Sequence, residues 1–222
     1  ARWLIEKSSA AKKAGGTSYW DEVLDKCGIE TSLANRVELG NYLNPKRYRW
    51  VFFVDCFLFP FDNREIIAEN SDQGTYIPLQ GKLLRRYMKQ AGVTELPETF
   101  DAYLAFVTRI VEENKKKGGI AQKFEVAYFR SLHFGDPSRE VAEAVYRKYR
   151  AQGIPSYPEY TTFQDYVFRY LIREGGRLHL PVHLHTAVGE GDYFKLQRGN
   201  VVNLENVLKD PRYLGTTFVL LH

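Results

Sequence analysis

The chain has 222 residues, 44% hydrophobic, 26% charged and 14% aromatic, with a net charge of +4 from 31 basic and 27 acidic residues. That is enough apolar material for a real core, and it excludes a disordered chain, a collagen or a small disulfide-stapled scaffold. The charge is too balanced to argue for nucleic acid, and no apolar run approaches the ~18 residues of a membrane span.

Residues 1–14 read as a helix closed by Gly15-Gly16, and Ser18 is the expected N-cap of a second helix running to Gly28. Residues 31–37 read as a short strand, and 49–56 as a stronger one, rich in aromatic and β-branched residues. An excursion over 61–120 follows. Its first part, 61–80, carries the loop chemistry of Asn63, Asn70, Asp72, Gly74 and Pro78. Helical spacing returns at Leu79, Leu83, Leu84 and Tyr87, and again from Phe100 to Val111. Lys115, Lys116 and Lys117 before Gly118-Gly119 read as a solvated helix C-terminus. Then come a strand over 120–128, helices over 139–152 and 160–177, a strand over 180–188, a short helix over 203–208 and a last strand over 218–222. Strands alternating with helices imply a parallel sheet, either open and doubly wound or part of a (β/α)8 barrel. No linker divides the chain, so 1–222 reads as one domain.

Side chains alternate faces along a strand. In 120–128 this separates the greasier Ile120, Phe124 and Val126 from Lys123 and Glu125. Opposite charges on an interior face need each other, a metal or a substrate. In 180–188, His183 and His185 share one face, a spacing that suits either a Zn-like ion or one core and one exposed histidine. His222 ends the final strand on the corresponding face. Three successive parallel strands thus aim titratable groups at one region near their C-terminal ends, where sites lie in such folds. Asp55 and Arg36 end two earlier strands, as substrate contacts or rim ion pairs. Tyr128 and Arg130 are placed to clamp a carboxylate. His133 and His179 read as surface histidines. Gly189-Glu190-Gly191 lacks the spacing of a dinucleotide fingerprint, and no P-loop, Gly-x-Ser-x-Gly elbow or Cys-x-x-Cys is present. Cys27 and Cys56 fit a reducing compartment or two free thiols, not a disulfide framework. With no visible signal peptide, a cytoplasmic location is the expectation.

Leu180-Pro181-Val182-His183-Leu184-His185-Thr186, then Gly189, Asn200, Asp210-Pro211 and Phe218-Val219-Leu220-Leu221-His222, resemble the middle of an amidohydrolase-related protein. The similarity is to the metal-dependent hydrolases of the amidohydrolase 2 group, including the amidohydrolase-like half of FluG. The run from Ala121 to Leu132 looks like that group's fourth-strand region. The resemblance spans roughly 19–222.

It implies a (β/α)8 barrel with a divalent metal at its C-terminal face, Zn first, with Mn or Fe as alternatives. By motif, His185 takes the fifth-strand metal-ligand position and His222 the sixth-strand acid–base position. His183 lines the pocket. Lys123 sits where some relatives carry a carboxylated lysine, unless Glu125 pairs with it and keeps it cationic. The implied activity is metal-assisted hydrolysis of a C–N or C–O bond in a small carboxylate-bearing substrate, with Lys123, Glu125 and His222 catalytic. Decarboxylation and a non-catalytic interaction domain are the alternatives. No His-x-His precedes residue 19 and no seventh or eighth strand follows, so the chain matches strands two to six of an incomplete barrel. Such a barrel has open edges and is expected to stick to other chains, a homo-oligomer among them.

Overall fold

The computed structural model describes residues 2–35, 44–68, 73–189 and 194–222. The chain opens with α1 (Arg2–Gly15), which buries none of its residues, and α2 (Tyr19–Lys26). Ser18 does not cap α2. It is already helical, and its hydroxyl donates to the Gly15 carbonyl and meets Glu22 instead. Strands β1 (Ser32–Asn35) and β2 (Tyr48–Phe53) follow, then α3 (Arg64–Ala68), α4 (Gln73–Gln90) and α5 (Phe100–Lys116). After β3 (Gly119–Phe124) come α6 (Arg139–Tyr149) and α7 (Tyr157–Arg177). The chain closes with β4 (Val182–His185), the short helices α8 (Leu196–Gly199) and α9 (Glu205–Leu208), and β5 (Phe218–Leu221).

All five strands are parallel and lie in the order β1-β2-β3-β4-β5. The order never reverses, which is the winding of a barrel rather than of a doubly wound sheet. The result is an α/β half-barrel. Its outer face carries Trp50, Phe52, Phe124, Val182 and Leu184, all buried. Gln122 also points outward, where its amide donates to the Leu171 carbonyl of α7, and Phe124 packs on Phe168 of the same helix. α7 starts on a capping box, in which Ser156 and Glu159 satisfy each other's backbone N–H groups. α5 starts on Thr99, whose hydroxyl accepts from the Ala102 N–H.

Three strands end earlier than their composition suggests. β2 stops at Phe53, and Asp55–Leu58 forms a 3-10 turn. β3 stops at Phe124 because Glu125 leaves the extended region (φ −109°, ψ 17°) and gives its N–H to the Asp55 carboxylate instead of a neighbouring strand. β4 stops at His185. Asp55 and Glu125 therefore sit in turns beyond the strands, not within them. The loop expected over 61–80 is also corrected. It contains α3 and the start of α4, with Pro78 inside the helix. Gln73, Ile77, Leu84 and Met88 recur on one buried face, and that burial outweighs the single backbone bond Pro78 forgoes.

Candidate functional site

The pleat sorts the inner face of the half-barrel into layers. Phe53, Lys123, His183 and Val219 pair in register across β2 to β5 and form one layer. Above it, towards the C-terminal ends, lie Glu125, His185 and Leu221. Lys123 is only 1% exposed, while Phe53, His183 and Val219 beside it are half-buried. Its ammonium lies 3.7 Å from Oε1 of Glu125. Loss of hydration lowers the Lys123 pKa, against the pull of Glu125 and Asp55, and burial raises that of Glu125, against the pull of Lys123.

His185 is the centre of a second group. Its ring lies 4.7 Å from that of His222, 4.6 Å from Tyr128 and 5.8 Å from Phe194. Nε2 meets the Val188 carbonyl, which can only accept, so Nε2 carries the proton and Nδ1 keeps the lone pair. Burial lowers the His185 pKa, and Lys123 and His222 add to that, against the bond to Val188. Burial and Lys123 also lower that of His183. Both imidazoles therefore favour the neutral form, the form that binds metals.

The turn after β4 holds this arrangement. The Thr186 N–H and hydroxyl both donate to the Leu221 carbonyl, tying β4 to β5. Ala187 takes a positive φ of 59°, and its N–H reaches Gly199. Phe194 fits because residues 189 and 199 are glycines. A Cβ at Gly189 would come within 2.2 Å of its ring, and one at Gly199 within 2.6 Å. On the other side, the Gln73 amide donates to the Tyr128 carbonyl, and Tyr87 donates to the Phe53 carbonyl. The sequence reading missed Gln73, Val188 and Phe194. The paired glycines were the signal that could have exposed Phe194.

The remaining expected residues lie apart. Asp55 is 1% exposed and accepts the Glu125 N–H with both oxygens, at 2.9 and 3.0 Å. Burial pushes its carboxyl up to about 8. The Arg130 guanidinium is engaged elsewhere, with Asp165 at 2.7 Å, Gln164, the carbonyls of Thr161 and His133, and the face of Phe134. Arg36 and Glu190 lie outside the described residues. His133 and His179 are exposed, and neither Cys27 nor Cys56 is in a disulfide.

As a metal centre the set is incomplete. A tetrahedral site takes three or four donors. Among the described residues no group of three or more His, Cys, Asp or Glu is arranged to hold an ion. His185 and His222 do not fit a metal by themselves. What the site offers in its own right is a buried ammonium paired with a half-buried carboxyl, beside two imidazoles that burial biases towards the neutral form, which suits proton transfer on a bound polar substrate. No helix among the described residues is long and apolar enough to cross a membrane.

No protein-family model matches the sequence, and no curated protein does. Solved structures do share the fold. A provisionally named metal-dependent hydrolase from Lactobacillus casei ATCC 334 superimposes with a TM-score of 0.60 at 15% identity, over 94% of this chain and 49% of that one. A glucuronate isomerase from Caulobacter crescentus gives 0.60 at 12% identity, over 90% and 42%. A uronate isomerase from Thermotoga maritima gives 0.51 at 14% identity, over 78% and 37%. The chain thus spans about half the length, or less, of the structures it resembles, and the likeness is one of fold.

Proposed function

We propose that this half-barrel belongs to a metal-dependent enzyme of the amidohydrolase type, one that hydrolyses a C–N or C–O bond in a small carboxylate-bearing substrate. One observation carries the reading. Lys123, Glu125, His183, His185 and His222 converge at the C-terminal ends of three adjacent parallel strands, the end at which barrel enzymes place their chemistry. In this reading His185 is one metal ligand, and the other ligands come from outside the described residues. Zn, Mn and Fe all suit such donors.

The chain's own residues then have these roles. Glu125 exchanges a proton with the substrate, and its raised pKa places it nearer neutrality than an ordinary carboxylate. Lys123 supplies positive charge, and His222 moves a second proton from its exposed place past β5. His183 and Tyr128 line the substrate. Arg130 and Asp55 support it from behind, through Asp165 and the Glu125 backbone. α4 borders the mouth.

A second reading is sugar-acid isomerisation. Two fold neighbours are uronate isomerases, and an isomerase needs the paired acid and base that Lys123 and Glu125 provide. The test is turnover by the full-length protein, stripped with chelator and reloaded with Zn, Mn or Fe, on N-acyl amino acids, lactones and uronates. One metal should restore turnover, and His185→Asn should lower it about 100-fold or more. Turnover indifferent to metal would overturn the hydrolase reading, and no turnover on any of these substrates would overturn both. Product identity separates them.

A further inference from the structure

We propose that Lys123 is a nucleophilic lysine that condenses with a small aldehyde or ketone to form an imine, with Glu125 as its proton shuttle. This goes beyond the hydrolase reading and does not depend on a metal.

The placement carries it. Lys123 is the most buried member of a layer whose other members, Phe53, His183 and Val219, remain half-buried. Its nitrogen is therefore shielded from bulk water yet lies beneath the open inner face of the half-barrel. A surface lysine is a hydrated ammonium with no free lone pair. A desolvated one yields its proton, which is what imine-forming lysines require. The loss of hydration at Lys123 acts in that direction. Glu125 is the ion-pair partner at 3.7 Å, and its side chain is 36% exposed. It can therefore take a proton from the lysine and deliver it towards a ligand entering from solvent.

The step balances. The Lys123 lone pair adds to the carbonyl carbon, and the C=O π pair moves to oxygen. Glu125 carries the nitrogen proton to that oxygen. The proton that Glu125 first took from the ammonium then protonates that hydroxyl, which departs as water while the nitrogen lone pair closes the C=N bond, and the remaining N–H proton returns to the Glu125 carboxylate. One amine and one carbonyl give one imine and one water, with no change of oxidation state.

The experiment is reductive trapping. The full-length protein is incubated with cyanoborohydride and either pyruvate or glyceraldehyde, and the modified lysines are mapped by peptide mass spectrometry. Lys116, exposed at the end of α5, is the internal reference. Lys123 should be modified about tenfold faster than Lys116 at neutral pH, because a desolvated amine offers its lone pair more often than a hydrated one. Glu125→Gln should slow Lys123 and leave Lys116 unchanged. Modification of Lys123 no faster than Lys116, or only after unfolding in urea, would overturn the proposal. The trap needs neither metal nor turnover, so its failure is separate from failure of the hydrolase reading.

Discussion

Asp55 joins fold and site through one backbone amide. Its carboxyl is enclosed in the turn after β2, and both oxygens face the Glu125 N–H. Burial is the largest influence, and the nearby Glu125 charge adds to it. The Glu125 N–H and Lys123 act in the opposite direction, and the pKa settles at about 8. The sign of the pH effect follows. Between about 4 and 8 the folded chain keeps a proton that the unfolded chain has released. This group's contribution to stability is therefore full below about pH 4 and falls as pH rises, by no more than about 1.4 kcal/mol per pH unit. Asp55→Asn keeps a carbonyl oxygen for the Glu125 N–H and cannot ionise. Urea titrations at pH 5 and pH 8 should show wild-type stability dropping across that interval by more than that of the variant. An equal drop in both would show that Asp55 is already ionised at pH 5.

Much of this residue-scale pattern was legible. A period of two puts His183 with His185 whichever sheet they belong to, whereas Glu125 reaches Lys123 from the turn after β3 and not by strand alternation. Asp55 was misplaced because apolar residues continue past Phe53, and nothing in composition marks where backbone leaves the ladder. Arg130 was assigned to a substrate by its position after β3. Its commitment to Asp165 depends on α7, 35 residues on, and such a contact is invisible to local spacing.

At the scale of elements, the helices with strong caps and regular apolar stripes were readable, α5 and α7 above all. α4 was half missed because Gly74 and Pro78 are turn formers, and only tertiary burial of Gln73 and Ile77 overrides them. The contact of α7 with the sheet depends on a second glycine that no periodicity reveals. A Cβ at Gly175 would lie 2.5 Å from the Gln122 amide nitrogen, 3.0 Å from Val182 and 3.2 Å from the Leu180 carbonyl oxygen. Gly175→Ala gains about 1 kcal/mol of helix propensity. Against that stand about 1–3 kcal/mol of overpacking and the disturbed Gln122–Leu171 bond, at about 1 kcal/mol. The net expectation is a loss of about 1–3 kcal/mol, read as a lower urea midpoint at unchanged slope. A midpoint equal to or above wild type would mean that α7 can slide away from β3 without penalty.

At the scale of the whole molecule, the alternation of strands and helices made a parallel sheet legible but left an open doubly wound sheet and a barrel equally open, and the strand order β1-β2-β3-β4-β5 decides for barrel winding. Among the described residues the two end strands each have one neighbour, so β1 and β5 each present a free row of backbone donors and acceptors. The side chains there confirm the asymmetry. Val182 and Leu184 on the outer face of β4 are sealed, whereas Leu220 on the same face of β5 is 40% exposed and Leu33 on β1 is 58% exposed. An edge of this kind, with apolar residues and no charge between Phe218 and Leu221, is a template for pairing with another strand. The 222-residue chain expressed alone should therefore self-associate as its concentration rises, as sedimentation velocity would show. Leu220→Lys places a charge on that edge at a position already open to water. It should return the chain towards a monomer while shifting stability by under about 1 kcal/mol. A monomeric wild type, or association untouched by Leu220→Lys, would mean that β5 is not the adhesive edge.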